Sequence, residues 1–155
     1  MRVFVPLCVV IFAGGAVDIR TAQPARTASA PQRSELQAAA DRLTAAAARL
    51  KATAATSPSS RSAIEALDAT AAGTETALEF FISTAGRLLQ SDHAKSRDTM
   101  AKHLKALKEQ RDALKKKLLG QKEDTRSLSD IATRLSELSD HVTTSARTVA
   151  AAKPR

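Results

Sequence analysis

The chain has 155 residues and a formal net charge of +8, and only four of its side chains are aromatic. This length is enough for one domain, whose core must come from Leu, Ile, Val and Ala with two phenylalanines. The sequence contains no Asn and a single Cys, which excludes N-glycosylation, an internal disulfide and metal sites built on several cysteines.

The N-terminal segment, residues 1–25, is typical of a secretory signal peptide. Arg2 supplies a positive charge, and the apolar run VFVPLCVVIFAGGAV follows it. Small residues at Gly14 and Ala16 have the spacing that signal peptidase requires, so we expect cleavage near residue 16, with residue 25 as the second candidate. The run is shorter than the about 20 residues that span a bilayer. We therefore expect a secreted or periplasmic protein; tethering by an uncleaved segment is the alternative.

Residues 26–33 combine small polar residues with a proline and show no apolar period, which predicts a flexible linker. A helical bundle over residues 34–152 is expected after it. Ser34 and Gln37 have the spacing of a capping box that begins the first helix, and Pro58 ends it. This first helix is predicted to be short and rich in Ala.

The second helix is predicted by an apolar stripe from Ile64 to Leu88 that steps by three and four residues, with Ser60 or Ser62 as its N-cap. Gly73 lies inside this stripe and is unfavourable in a helix by about 1 kcal/mol relative to Ala. The unbroken spacing favours one continuous helix. A break near Gly73 is the alternative.

Two further stripes predict the third and fourth helices. One runs from Met100 to Leu118 and ends at Gly120, and the other runs from Leu128 to Val149. Antiparallel pairing of the four stripes places each turn on a separate turn signal. The sequence therefore predicts an all-α, up-down antiparallel four-helix bundle, with a short first helix, three long helices and coiled-coil-like packing.

Charges flank the stripes of the second and third helices. The predicted register brings Glu75 near Lys108 and Asp68 near Lys115. Exposed pairs of this kind contribute only about 0–1 kcal/mol each. We expect them to select the register and the neighbour rather than to supply stability.

Arg111 interrupts the apolar stripe of the third helix. The predicted register puts it in one layer with Ala40, Thr74 and Ile131, so Arg111 and Thr74 are the candidate polar layer of the core. Such a layer would select the register or contact a ligand. The more ordinary interpretation is that the arginine stem lies along the core while its head reaches water. If the layer selects the register, Arg111→Leu should keep or raise thermal stability and loosen the oligomeric state.

The positive charge is concentrated between residues 92 and 122, which hold ten Lys or Arg and four Asp or Glu. The candidate anion- or partner-binding residues are Lys115, Lys116, Lys117 and Lys122. Nucleic acid is not expected as the partner, because the aromatic groups available for stacking, Phe80 and Phe81, belong to another helix. An anionic membrane, a polyanion or a protein fits better.

No nucleotide-binding, hydrolase or metalloprotease motif occurs in the sequence. The three histidines, His93, His103 and His141, lack the spacing of a helical ligand pair. We therefore expect no cofactor, no metal and no enzymatic activity.

The helix pattern resembles that of exchangeable apolipoproteins, such as insect apolipophorin, and of granule-coating phasins. The resemblance implies an amphipathic bundle and assigns no role to any residue; phasins are cytosolic, whereas this N-terminus predicts export. We expect an exported, non-catalytic bundle that binds a protein or an anionic surface. The alternatives are a lipid-surface protein whose bundle opens, and an oligomeric structural coiled coil.

Overall fold

The computed structural model describes residues 30–56, 59–89, 93–120 and 125–151. They form four helices: α1 (Ala30–Ala55), α2 (Arg61–Leu88), α3 (Ala94–Leu119) and α4 (Thr125–Ala151). Each helix packs against its neighbours in the chain, and α4 returns to pack against α1. The described residues contain no strand, and the predicted up-down four-helix bundle is confirmed. The predicted signal peptide lies outside the described residues.

The first helix begins earlier than the sequence indicated. α1 starts at Ala30 and has 26 residues, so residues 30–33 of the predicted linker are helical and α1 is as long as α3. Pro31 is tolerated there because the backbone N–H groups in the first turn of a helix have no acceptor within the helix. The N–H that proline lacks would therefore have made no helical hydrogen bond. Ser34 consequently lies inside the helix rather than at its N-cap, and Gln37 donates to Asp41 one turn later.

α2 is continuous through Gly73 and has 28 residues. Its N-cap is Ser60, whose side-chain oxygen accepts a hydrogen bond from the backbone N–H of Ala63 at 3.3 Å. At the end of α3 the backbone N–H of Gly120 donates to the carbonyls of Lys116 and Lys117. Gly120 has a φ of −76°, so it ends the helix in an extended conformation and not in the left-handed one.

The predicted stripes form the core. Its largest fully buried side chains come from all four helices: Leu43, Leu50, Leu67, Leu78, Phe81, Met100, Leu107, Leu114, Leu135 and Val142. Several small residues that the stripes did not include are also buried, namely Ala39, Thr84, Ala132, Ser139 and Ala146. They are buried because a helix in a bundle packs against two neighbours, which covers a wider face than the two positions per heptad of a simple coiled coil.

α3 contributes least to this core. Only Met100, Leu107 and Leu114 are buried in it, and they lie seven residues apart. Leu104 and Leu118, at the other stripe position, are partly exposed. The fully buried part of α3 is therefore a narrow line, beside which partly buried apolar residues and polar side chains lie. No helix in the described ranges is long and apolar enough to cross a membrane.

The register of α1 on α2 differs from the predicted one. Thr74 donates to the carbonyl of Ala46 at 3.2 Å, whereas the sequence placed Ala40 opposite it. The shift of six residues is close to one heptad. A seven-residue repeat buries the same face in either register, so the apolar pattern alone does not distinguish the two.

Gly73 offers a test of the continuous second helix. It is exposed, and an added Cβ would meet no atom within 4 Å. We expect Gly73→Ala to raise the free energy of unfolding by about 0.5–1 kcal/mol, because it reduces the conformational entropy of the unfolded chain. Chemical denaturation followed by circular dichroism measures this. Ala69→Gly, one turn earlier on the same exposed side, should lower stability by a similar amount. If both variants lowered the free energy of unfolding, a regular helix at Gly73 would be contradicted.

Candidate functional site

Polar side chains gather at three places around α3: the seam with α2, the seam with α4, and the C-terminal end. The first is the Arg111 cluster, which consists of Arg111, Asp68 and Glu75. Arg111 donates from Nε to Asp68 Oδ1 and from Nη1 to Glu75 Oε2, both at 3.0 Å. The three side chains are 22, 24 and 18% exposed. The hydrogen bond that Arg111 donates to Glu75 is the main cause that raises the pKa of Arg111, so this guanidinium stays charged.

The Arg111 cluster explains one pairing that the sequence assigned differently. Asp68 binds Arg111, and the expected pair with Lys115 is not formed. Asp68 and Glu75 lie seven residues apart, so they share one face of α2 and a single guanidinium bridges them. The expectation that the arginine head reaches water is also wrong in part, because the head is bonded to two carboxylates at the helix seam.

Lys108 extends the pairing along the same seam. Its Nζ lies 3.9 Å from Glu75, as the sequence predicted, and 2.7 Å from Glu79, which the sequence did not indicate. The hydrogen bond to Glu79 raises the pKa of Lys108. Three α2 carboxylates therefore offset the charges of Lys108 and Arg111, which lowers the attraction of these two cations for an anion.

Thr74 faces a different seam. It is buried, and its hydroxyl donates to the carbonyls of Thr70 at 2.9 Å and of Ala46 on α1. Arg111 instead faces the acidic side of α2. The two members of the candidate polar layer are each satisfied by other partners and share no hydrogen bond in the described part of the chain.

The seam between α3 and α4 holds a histidine pair, His103 and His141. Their rings are stacked, with centroids 6.0 Å apart and an interplanar angle of 8°. Ser145 Oγ lies 3.3 Å from His103 Nε2. Burial, and secondarily the charge that His141 can carry, lower the pKa of His103. Among the described residues no group of three or more potential ligands is arranged to hold a metal ion.

The third place, which we call the basic end, consists of Lys115, Lys116 and Lys117 in the last two turns of α3 with Arg126 in the first turn of α4. Lys115, Lys116 and Arg126 are exposed, and none of the three has an ion pair among the described residues. Lys117 is partly buried and has an interaction of its own. Lys122, the fourth predicted binding lysine, lies outside the described residues.

A large apolar side chain stands beside these lysines. Leu119, the last residue of α3, is 86% exposed. It follows Lys115 by four residues and Lys116 by three, so the three side chains share one face of the helix. The sequence contained this spacing, but only the packing shows that Leu119 is outside the core while Leu118 partly joins it.

Two shallow grooves lie elsewhere on the surface. One, of about 310 Å³, lies between α1 and α4, and another, of about 190 Å³, lies between α3 and α4. Both are lined mainly by Ala, Ser and Thr side chains.

Comparisons of this chain with protein-family models, curated proteins and solved structures find no match.

Arg111→Leu tests the Arg111 cluster. It leaves Asp68 and Glu75 mostly buried without their shared cation, so we expect a loss of about 1–3 kcal/mol in the free energy of unfolding. This differs from the expectation drawn from the sequence, which did not show that two carboxylates depend on the guanidinium. Lys105→Leu is the matched control, because its 3.9 Å pair with Glu109 is exposed and should contribute at most about 0.5 kcal/mol. Equal stability of the two variants would contradict a structural role for the cluster.

The histidine pair predicts a pH dependence of stability. The pKa of His103 is lowered from 6.5 in the folded state, so the unfolded chain binds more protons near and below that pH. The contribution of His103 to the free energy of unfolding should be fully present above about pH 6.5. It should decrease as the pH drops through the folded-state pKa of His103, and then stay constant. Thermal melts of wild type and His103→Gln, compared at each pH, isolate this contribution from the carboxylates. If the melting temperatures of wild type and His103→Gln changed in parallel across the whole pH range, the contribution of His103 would be contradicted.

Proposed function

We propose that this chain is an exported, non-catalytic helical bundle that binds an anionic partner through the basic end. The observation that carries the proposal is the exposure of Lys115, Lys116 and Arg126 without ion pairs among the described residues. Export rests on the signal-like residues 1–25.

The distribution of charge along α3 supports this choice of site. In its middle, Lys108 and Arg111 are neutralised by carboxylates of α2. From Lys115 to Arg126 the sequence carries five Lys or Arg and two acidic residues, a surplus of three. This end of the bundle therefore carries a surplus of positive charge, which attracts an anionic partner.

The packing explains why Lys115 and Lys116 have no ion pair with the described carboxylates of α2. Asp68, which the sequence paired with Lys115, is bonded to Arg111. Glu65, nearer the start of α2, is bonded to Arg61 on its own helix at 3.0 Å. The nearby carboxylates of α2 are thus engaged, and the ammonium groups of Lys115 and Lys116 extend into solvent.

A binding role fits the other polar groups as well. The titratable side chains of the Arg111 cluster bond to one another, and His103 is stacked against His141. Each of these contacts joins α3 to a neighbouring helix. That use of these side chains supports the proposal of a non-catalytic role.

The test is salt-dependent retention on immobilised heparin, used as a generic polyanion. We expect Lys115→Gln/Lys116→Gln to weaken binding by about tenfold or more, since each cation near an anionic surface contributes about 1 kcal/mol. The matched control is Lys95→Gln/Lys102→Gln, which removes the same charge from two exposed positions nearer the start of α3. Equal loss of retention in the two double variants would show a response to net charge alone and would overturn the proposed site.

A further inference from the structure

Leu119 is unlike the other large apolar side chain that is exposed among the described residues. Phe80, 44% exposed, lies under the guanidinium of Arg42, whose Cζ is 5.6 Å from the ring centroid. Leu119 is 86% exposed and has no such cover among those residues. Water therefore surrounds a leucine at the tip of α3. The nearest charged side chains on its own helix face are the cationic Lys115 and Lys116.

Resting on the function proposed above, we infer that the anionic partner is a lipid membrane and that Leu119 enters its surface beside Lys115 and Lys116. A membrane supplies two different chemistries at adjacent depths. Anionic headgroups attract the lysine ammonium groups, and the acyl boundary begins about 5–10 Å deeper, where an apolar side chain loses its contact with water. A soluble polyanion supplies only the first of these.

The geometry of the helix end suits shallow insertion. The carbonyls of Lys116 and Lys117 accept from the N–H of Gly120, so the helix is wound up to Leu119 and holds that side chain on a regular turn. Lys115 and Lys116 stand one turn behind it on the same face. Their aliphatic stems can follow the leucine towards the interface while their ammonium groups remain at headgroup level.

Negative charge near the tip limits the strength of this contact. Asp112 lies on the same face one turn before Lys115, and Glu123 and Asp124 follow the helix in a segment outside the described residues. The end still keeps a surplus of positive charge, to which Arg126 contributes. Binding should consequently be weak, reversible and dependent on the anionic lipid content of the membrane.

The docked protein remains a closed bundle. Leu107 and Leu114, which hold α3 in the core, are fully buried and lie on a different side of the helix from the inserting residue. End-on docking uses only groups that are already exposed, so no helix has to leave its neighbours. This distinguishes it from a lipid-bound state in which the apolar stripes themselves face the membrane.

Tryptophan reporters test the inference, because the native chain contains no Trp. With phosphatidylcholine vesicles containing phosphatidylglycerol, the fluorescence of Leu119→Trp should shift to the blue, and the shift should be absent with phosphatidylcholine alone. Phe80→Trp is the matched control, since it reports from the other described position with a large exposed apolar side chain, and its fluorescence should stay unchanged. A blue shift of both reporters would indicate that the bundle opens, and would overturn end-on docking.

Vesicle co-sedimentation separates this inference from the proposed function. Leu119→Gln should reduce binding to anionic vesicles by about tenfold, yet leave retention on heparin unchanged. Lys115→Gln/Lys116→Gln should reduce both. If Leu119→Gln binds vesicles as wild type does, or wild type binds heparin but no vesicle, the lipid assignment is overturned while the anionic site stands. If the lysine variant loses nothing in either assay, the proposed function itself fails.

Discussion

Burial of one apolar stripe along each helix is the interaction on which this bundle depends. The chain has a single Cys and few aromatic residues, so neither a disulfide nor an aromatic cluster can take over that role. One fully buried leucine from each helix illustrates the stripe: Leu43, Leu67, Leu107 and Leu135. Because the stripes pair antiparallel neighbours, they also decide which charged flanks meet. The polar sites described above follow from that pairing.

α3 uses this interaction least and supplements it with charge. Its buried residues form one narrow line, and Arg111 and Lys108 bind carboxylates of α2 beside that line. The same bonds offset the charge of these cations, although Lys108 remains 46% exposed. The positive charge of α3 thereby includes a structural part in the middle, with exposed lysines on both sides of it. The pairing of α3 cations with α2 carboxylates therefore both holds α3 on the bundle and leaves the lysines of the basic end as a candidate binding site.

The contacts of α2 show how far a repeating pattern can be interpreted. The apolar spacing was sufficient to predict a continuous helix through Gly73 and the proximity of Glu75 to Lys108, and the structure agrees with both. It was insufficient for the register of α1, where Thr74 meets Ala46 instead of Ala40. A shift of one heptad leaves every apolar face buried, so the choice between registers depends on side-chain fit and on individual polar contacts.

The sequence by itself determined the helices, their antiparallel order and most of the core, because helical periodicity and turn residues are local properties of the chain. It also indicated the lysines of the basic end. Only the tertiary structure decided that Arg111 bridges Asp68 and Glu75, that His103 stacks on His141, and that Leu119 remains in water. Each of these depends on the distance between side chains from different helices, or on what packs over a residue. A periodic pattern does not contain that information.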